Sequence, residues 1–341
     1  MRGERAPSEP ADTKELNWTR YKPGQPRGHY ESFFQRANHP TRPLAFWIRY
    51  TIFSPTGHPE KAIGELWAMF FNGETGDHVA VKEEYPLSAC RFEPDGFGAQ
   101  VGGAVLAPGK LKGTCAARSH TLSWDLAYEG DQPPILFLPR SMYEGNFPKA
   151  KSFIGVPMAV YDGSVSVDGK SFDVQKWVGS QNHNWGSRHT DYYAFGQVAG
   201  FDDAPDSFLE VVSARLKFGP VWTPMLTPMV LRHRGQEHAF VRLPQTLRAR
   251  GRFRYFHWEF GAENHAVKIA GEISAPREAF VGLTYYNPPG GIKHCLNSKL
   301  ASCRLTVTDK STGGQETLKA QHRTAFEILT DDRTHGVPIR V

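Results

Sequence analysis

Long apolar runs are missing from this 341-residue chain, and none approaches the roughly eighteen uninterrupted apolar positions that a helix needs to cross a bilayer. Cysteine is scarce. Cys90, Cys115, Cys295 and Cys303 match no zinc-motif spacing and are too few to staple a chain of this length, so they read as buried free thiols. No G-x-S-x-G hydrolase signature occurs, and the glycine-rich YYNPPGG beginning at Tyr285 lacks the Lys-Ser/Thr of a phosphate loop; it reads as a tight loop between strands. No solenoid or propeller period is visible. A net charge of +5 is modest for this size and does not call for nucleic acid. The opening MRGERAPSEPADTKE is polar and lacks the apolar segment of a signal peptide, so the expectation is a soluble cytoplasmic protein.

Aromatic residues and turn formers are what the chain has in quantity: 22 Phe, 12 Tyr and 8 Trp favour pleated sheet, and 33 Gly with 25 Pro favour many short elements. Helical periodicity is rare. Strand-length runs recur instead, as in LAFWIRYTIF from Leu44, GELWAMFF from Gly64 and FRYFHWEF from Phe253, with hairpin signals such as Asn72-Gly73, Asp162-Gly163 and Asp168-Gly169 between others. These predict an all-β chain of two lipocalin-like barrel or sandwich units in tandem: a flexible lead-in over 1–28, a first unit over 29–165 and a second over 166–341. Strands apolar on both faces, IGELWAMFF above all, imply stacked sheets or a filled barrel wall. Within them Arg49 and Glu65 are expected to meet as a buried ion pair. Arg248, Arg250, Arg252 and Arg254 recur with period two, a stripe that suits the solvated face of an edge strand or, as the alternative, contact with a membrane surface.

The stretch Ser180 to Gln197, SQNHNWGSRHTDYYAFGQ, concentrates histidine, aspartate, amides and large aromatics. In an extended strand His183 and Trp185 share one face and Asn182 and Asn184 the other. Gly186 and Ser187 break the run and Tyr192 to Gln197 resumes it, which predicts a polar, aromatic hairpin forming a pocket wall. His183, His189 and Asp191 are of metal-ligating type, but their spacing fits no standard motif, and no metal is expected.

The HNWG core at His183 to Gly186, followed by YYAFGQ, resembles the superfamily that contains bacterial carotenoid 1,2-hydratase, plant tocopherol cyclase and the AttH-like proteins. LAFWIRYTIF and ILFLPRSMYEGNFPKAKS are similar to it in order and spacing. That resemblance implies paired lipocalin-like units, catalysis without a cofactor on isoprenoid double bonds by hydration or cyclisation, and a catalytic role for His183 and Trp185; fungal relatives of similar fold carry out pericyclic cyclisation. Protonating an unactivated alkene requires an acid whose pKa is raised in a dry site and electron-rich walls for the cation that forms. Asp191 and Glu210 are the candidate acids, although Glu210 in SFLEVVSARL is equally a partner for Arg215. Trp67, Asn182, Tyr193, Gln197, Trp258 and Tyr286 are the candidate contacts to a hydrophobic substrate of isoprenoid or polyketide type. The competing expectation is a lipid- or pigment-binding protein with an aromatic β pocket.

Overall fold

The computed structural model describes residues 13–341 and is nearly all β, with 60% of residues in strands and 7% in helix. The first sheet opens with an antiparallel meander of β1 (His29–Asn38), β2 (Leu44–Ser54), β3 (Ile63–Asn72) and β4 (Val79–Pro86). Short strands β5 (Cys90–Phe92), β6 (Ala99–Val101) and β7 (Ala104–Ala107) lead into β8 (Lys110–Ala117) and β9 (His120–Glu129). After β10 (Ile135–Leu136) and the one-turn helix α1 (Ser141–Glu144), a long hairpin of β11 (Ala150–Val167) and β12 (Lys170–Gly186) returns to the start, where β12 pairs with β1. The order β4-β3-β2-β1-β12-β11-β9-β8-β7-β6-β5 curls so that β4 lies against β8 and β9, a barrel around a core that includes Phe33, Phe46, Tyr50, Trp124 and Trp177.

The second sheet takes β13 (Tyr192–Ala199) and β14 (Phe208–Arg215), is interrupted by a small hairpin of β15 (Lys217–Phe218) and β16 (Val221–Trp222), and continues with β17 (Met229–His233) and β18 (Gln236–Phe240). Helix α2 (Leu243–Arg248) precedes β19 (Arg250–Arg254), β20 (His257–Glu263), β21 (Val267–Ser274), β22 (Val281–Tyr286), β23 (Ile292–Asp309) and β24 (Gln315–Thr330). Its order is β18-β17-β14-β13-β24-β23-β21-β20-β19, with β22 also on β23. Trp258 sits in this second core and donates its indole N–H to Ser213 Oγ at 3.1 Å.

Two β units in tandem agree with the sequence, but the change of sheet falls between Gly186 and Tyr192. The expected break at 165/166 lies at the turn of the β11–β12 hairpin, whose strands are held together by their pairing from Ala150 with Gly186 to Val167 with Lys170. The stretch from Ser180 to Gln197 is therefore a crossover from one sheet to the other instead of a hairpin. Part of the expected lead-in is also structured: residues 1–12 lie outside the described residues, whereas Thr13–Asn17 forms a 3-10 turn whose Leu16 is buried against Tyr143, Phe153 and Trp185. The two-faced strands find their explanation here. In β1, Glu31, Phe33 and Gln35 face the first barrel, while Tyr30, Ser32, Phe34 and Arg36 face the second unit.

The arginine stripe is divided: Arg250, Arg252 and Arg254 are exposed on β19, an edge strand, and Arg248 ends α2. Cys115, Cys295 and Cys303 are buried free thiols and Cys90 is half-buried. No helix among the described residues is long and apolar enough to cross a membrane.

Candidate functional site

Between the units lies a cavity of about 210 Å³. The first unit supplies Tyr30, Phe34, Trp47, Arg49, Ser152 and Asn184, and the second supplies Tyr193, Phe195, Val212, Ala214, Tyr285 and Glu327. Apolar contacts flank it, with Trp67, Met69 and Phe71 against Leu283 and Leu329 on one side and Ile135, Phe137 and Ile154 against Phe208 and Val230 on the other. The half-buried Leu138, Pro148, Leu216, Leu226 and Pro228 mark its outer end, and the buried Tyr30, Trp47, Arg49 and Tyr285 its inner end.

Strand register places one polar network beside the cavity. Arg36, Asn182, Gln197 and Glu210 lie on the faces of β1, β12, β13 and β14 that also carry the lining residues Phe34, Asn184, Phe195 and Val212. Arg36 Nε and Ser180 Oγ both donate to Gln197 Oε1 at 2.7 Å, which fixes the amide so that Nε2 donates to Asn182 Oδ1 at 2.9 Å and to Glu210 Oε2 at 2.7 Å. Glu210 has no measurable exposure. Loss of water around it raises its pKa from 4.5 to about 7, against the opposing effects of Gln197, Arg36 and Ser152. With Oε2 taken up by Gln197, the proton of the neutral acid belongs on Oε1, the atom within 3.5 Å of the cavity-lining Ser152 Oγ.

His189, on the crossover, also lines the cavity. Its Nε2–H donates to the Tyr286 carbonyl at 3.1 Å, its backbone N–H donates to Asn287 Oδ1 at 3.1 Å, and its ring stacks on Tyr30 at 4.0 Å and on Tyr285 at 5.6 Å. Burial, reinforced by Arg49, lowers its pKa to about 3, so the ring is neutral and Nδ1 is a lone-pair acceptor.

The other residues singled out by sequence fall elsewhere. His183 and Trp185 share a strand face, as the alternation requires, and stack at 4.5 Å, but that face is turned from the cavity. His183 donates from Nε2 to Glu31 Oε1 at 2.8 Å and from Nδ1 to the Leu16 carbonyl at 2.9 Å, and lies on Phe33 at 4.2 Å. Glu31 accepts further from His29 at 2.9 Å and from the backbone N–H groups of Arg20 and Tyr21 at 2.7 and 2.9 Å. Desolvation would raise the Glu31 pKa, but the bonds from His183 and His29 outweigh it and hold the carboxyl at about 2. Gly186 completes the motif sterically, because a Cβ there would lie 2.0 Å from the Lys149 carbonyl oxygen. HNWG thus fastens the chain ahead of β1 to the barrel.

Asp191 is ion-paired with Arg188 and accepts the Lys217 N–H at 2.9 Å, outside the cavity lining. Trp67 stands behind the wall, edge-on to Tyr285, and Tyr286 lies under Lys82. Two expected pairs do not form. Glu65 meets Lys82 at 2.6 Å because Arg49 stands across from Trp67 in the β2–β3 register, and Arg215 lies over Trp222 with Nε donating to the Thr223 carbonyl, which leaves Glu210 to Gln197. His183, His189 and Asp191 are not gathered into one site, and among the described residues no group of three or more His, Cys, Asp or Glu is placed to hold a metal ion. Sequence reasoning passed over Arg49, His189 and Ser152 as cavity residues. Their only signal was polarity within two-faced strands or a polar crossover.

Three solved structures resemble the chain over most of its length. An AttH candidate from Nitrosomonas europaea, NE1406, superposes with a TM-score of 0.54 at 14% identity, covering 89% of this chain and 92% of that one. Kievitone hydratase from Nectria haematococca gives 0.55 at 11% identity, covering 91% and 90%, and CghA gives 0.54 at 12%, covering 89% and 88%. The chain shares their lipocalin-like fold. In sequence it is 24% identical over 289 residues to the uncharacterized Mycobacterium tuberculosis proteins MT0513 (strain CDC 1551 / Oshkosh) and Rv0493c (strain ATCC 25618 / H37Rv), covering 82% of this chain and 82% of each of them. No protein-family model matches it.

Proposed function

We propose that the inter-unit cavity takes an apolar small molecule of isoprenoid or polyketide type and that Glu210 protonates a carbon–carbon double bond in it. The observation that carries this reading is a fully buried carboxyl without an ion-pair partner, set on the same strand face as the lining residues Val212 and Ala214 and bonded only to an amide and a hydroxyl. In the first step the C=C π pair takes the Oε1 proton, leaving Glu210 as the carboxylate and a carbocation on the substrate. Gln197 and Arg36 then stabilise the carboxylate, and the faces of Tyr193, Phe195 and Phe34 meet the cation, each such contact contributing about 2 kcal/mol when desolvated. A water oxygen completes hydration, or an internal double bond or hydroxyl completes cyclisation; loss of a proton to the Glu210 carboxylate restores the acid. His189 Nδ1 is the acceptor suited to orient the attacking O–H. One of the fold neighbours is a hydratase by name, which favours water as the nucleophile.

Incubation with isoprenoid and polyketide extracts, followed by mass spectrometry, tests this. Products should appear that have gained one water or that change retention at constant mass. Ala214→Phe, which puts a ring into the cavity, should lower their formation by about 10-fold or more with melting unchanged, as expected when reacting groups lose their alignment. Bound but unaltered ligand in the wild-type protein would assign the cavity to carriage instead.

A further inference from the structure

Arg49 has no polar partner. It is 6% exposed, its Nε meets no acceptor, and among the described residues no carboxylate, carbonyl or hydroxyl engages its Nη atoms. Its company consists of ring faces, with Tyr285 at 4.5 Å and Trp47 and Trp67 at 5.8 Å each. Ring faces attract the charge, but they accept none of the in-plane N–H bonds of a guanidinium, which stays charged in any protein setting. A buried cation normally has a hydrogen-bonded counter-ion. The indole N–H groups of Trp47 and Trp67 in the same cluster are buried without partners as well, so unsatisfied donors converge there.

Glu65 and Glu327 favour the Arg49 cation through space, but neither carboxylate is hydrogen-bonded to it. Glu327 is taken by Lys299 at 2.7 Å and by Asn297 at 3.1 Å, Glu65 is taken by Lys82, and Lys151 donates to the Gly145 and Pro148 carbonyls at 2.8 and 2.9 Å. The lining is therefore net positive: it carries the cations of Arg49 and Lys151 against the carboxylate of Glu327, which Lys299 already engages.

We infer that the cavity recognises an anionic ligand: an apolar body ending in a carboxylate or enolate oxygen that pairs with Arg49. Arg49 on β2 and Ser152 on β11 are three strand steps apart, so the anionic end sits roughly 14 Å, between strand axes, from the wall where Glu210 stands. That separation keeps the cation of Arg49 away from any positive charge that develops near Glu210. The inference takes the cavity as the ligand site, but it is independent of proton transfer, and its test involves no turnover.

The test is calorimetric titration of the full chain with a chain-length series from phenylacetate to 6-phenylhexanoate and with the matching primary amides, which share shape and lack the charge. At least one carboxylate should bind about 10-fold or more tightly than its amide, the range of a charge-assisted hydrogen bond. Arg49→Met should abolish the preference and Arg49→Lys should keep part of it. Equal affinity of carboxylates and amides, a preference that survives Arg49→Met, or saturable binding by no member of either series would each overturn the inference. Failure of the anion preference with hydration or cyclisation intact would leave the proposed role of Glu210 standing.

Discussion

Glu210→Gln should lower turnover by about 10²- to 10⁴-fold, the usual contribution of a positioned proton donor, while the protein stays folded. The variant keeps the volume and offers an amide to Gln197, so its loss of activity is chemical. The stability effect has an unusual sign. Below the ordinary value of 4.5 the carboxyl is protonated in both the folded and the unfolded chain, so it contributes no difference. Between 4.5 and about 7 only the unfolded chain releases the proton, and the native state loses stability as pH rises until the folded pKa is passed. Above that point the deficit is constant at about 3 kcal/mol, from 1.36 kcal/mol per unit of pKa shift. Glu210→Gln should therefore be as stable as wild type at pH 4 and more stable at pH 8, as read by chemical denaturation. A destabilised but active variant would assign Glu210 to structure.

Replacing Glu31 should give the largest stability loss in the molecule. Four donors converge on its carboxylate, from His29, His183 and the N–H groups of Arg20 and Tyr21, and Glu31→Ala leaves them buried and unpaired. The expected cost is about 3–5 kcal/mol, the range for breaking a buried charged pair. Here the folded pKa is depressed, so the stabilisation is complete above the ordinary 4.5 and is lost as pH falls through about 2. Limited proteolysis should cut after Arg20 much faster in the variant, because Glu31 is what ties that segment to the barrel. His183→Gln should share the destabilisation at about 1–3 kcal/mol and turn over substrate at near the wild-type rate. Loss of turnover in a fully stable His183→Gln protein would return His183 to the chemistry.

The all-β fold was legible because its signals are local: alternating aromatic strands and turns such as Asn72-Gly73 and Asp168-Gly169 specify hairpins without reference to the rest of the chain, although Asp162-Gly163, expected as a turn, lies inside β11 at a bulge. The change of sheet after Gly186 was not, because β12 belongs to the first unit through its pairing with β1, a contact about 150 residues away in sequence. The site divided in the same way. Alternation correctly separated His183 and Trp185 from Asn182 and Asn184, but sequence does not say which face of a doubly buried strand meets a cavity. The rarest motif, HNWG, drew attention to the face that holds the N-terminal segment. Its plainer neighbours Asn182, Asn184 and Gln197 belong to the cavity side. Arg49 and Glu65 illustrate a limit of register. Both look like lone buried charges, and only the strand pairing shows that one is answered by Lys82 while the other lies over ring faces with no hydrogen-bonded counter-ion among the described residues.

Titration of Glu210 itself tests the central claim most directly and needs no substrate. Carbon-13 resonances of the glutamate carboxyls, followed from pH 4 to 9 and assigned by their absence in Glu210→Gln, report its proton. The expected result is a single transition with its midpoint at about 7. A midpoint at the ordinary value of 4.5 or below would contradict it, because Glu210 would then have no proton to give at neutral pH.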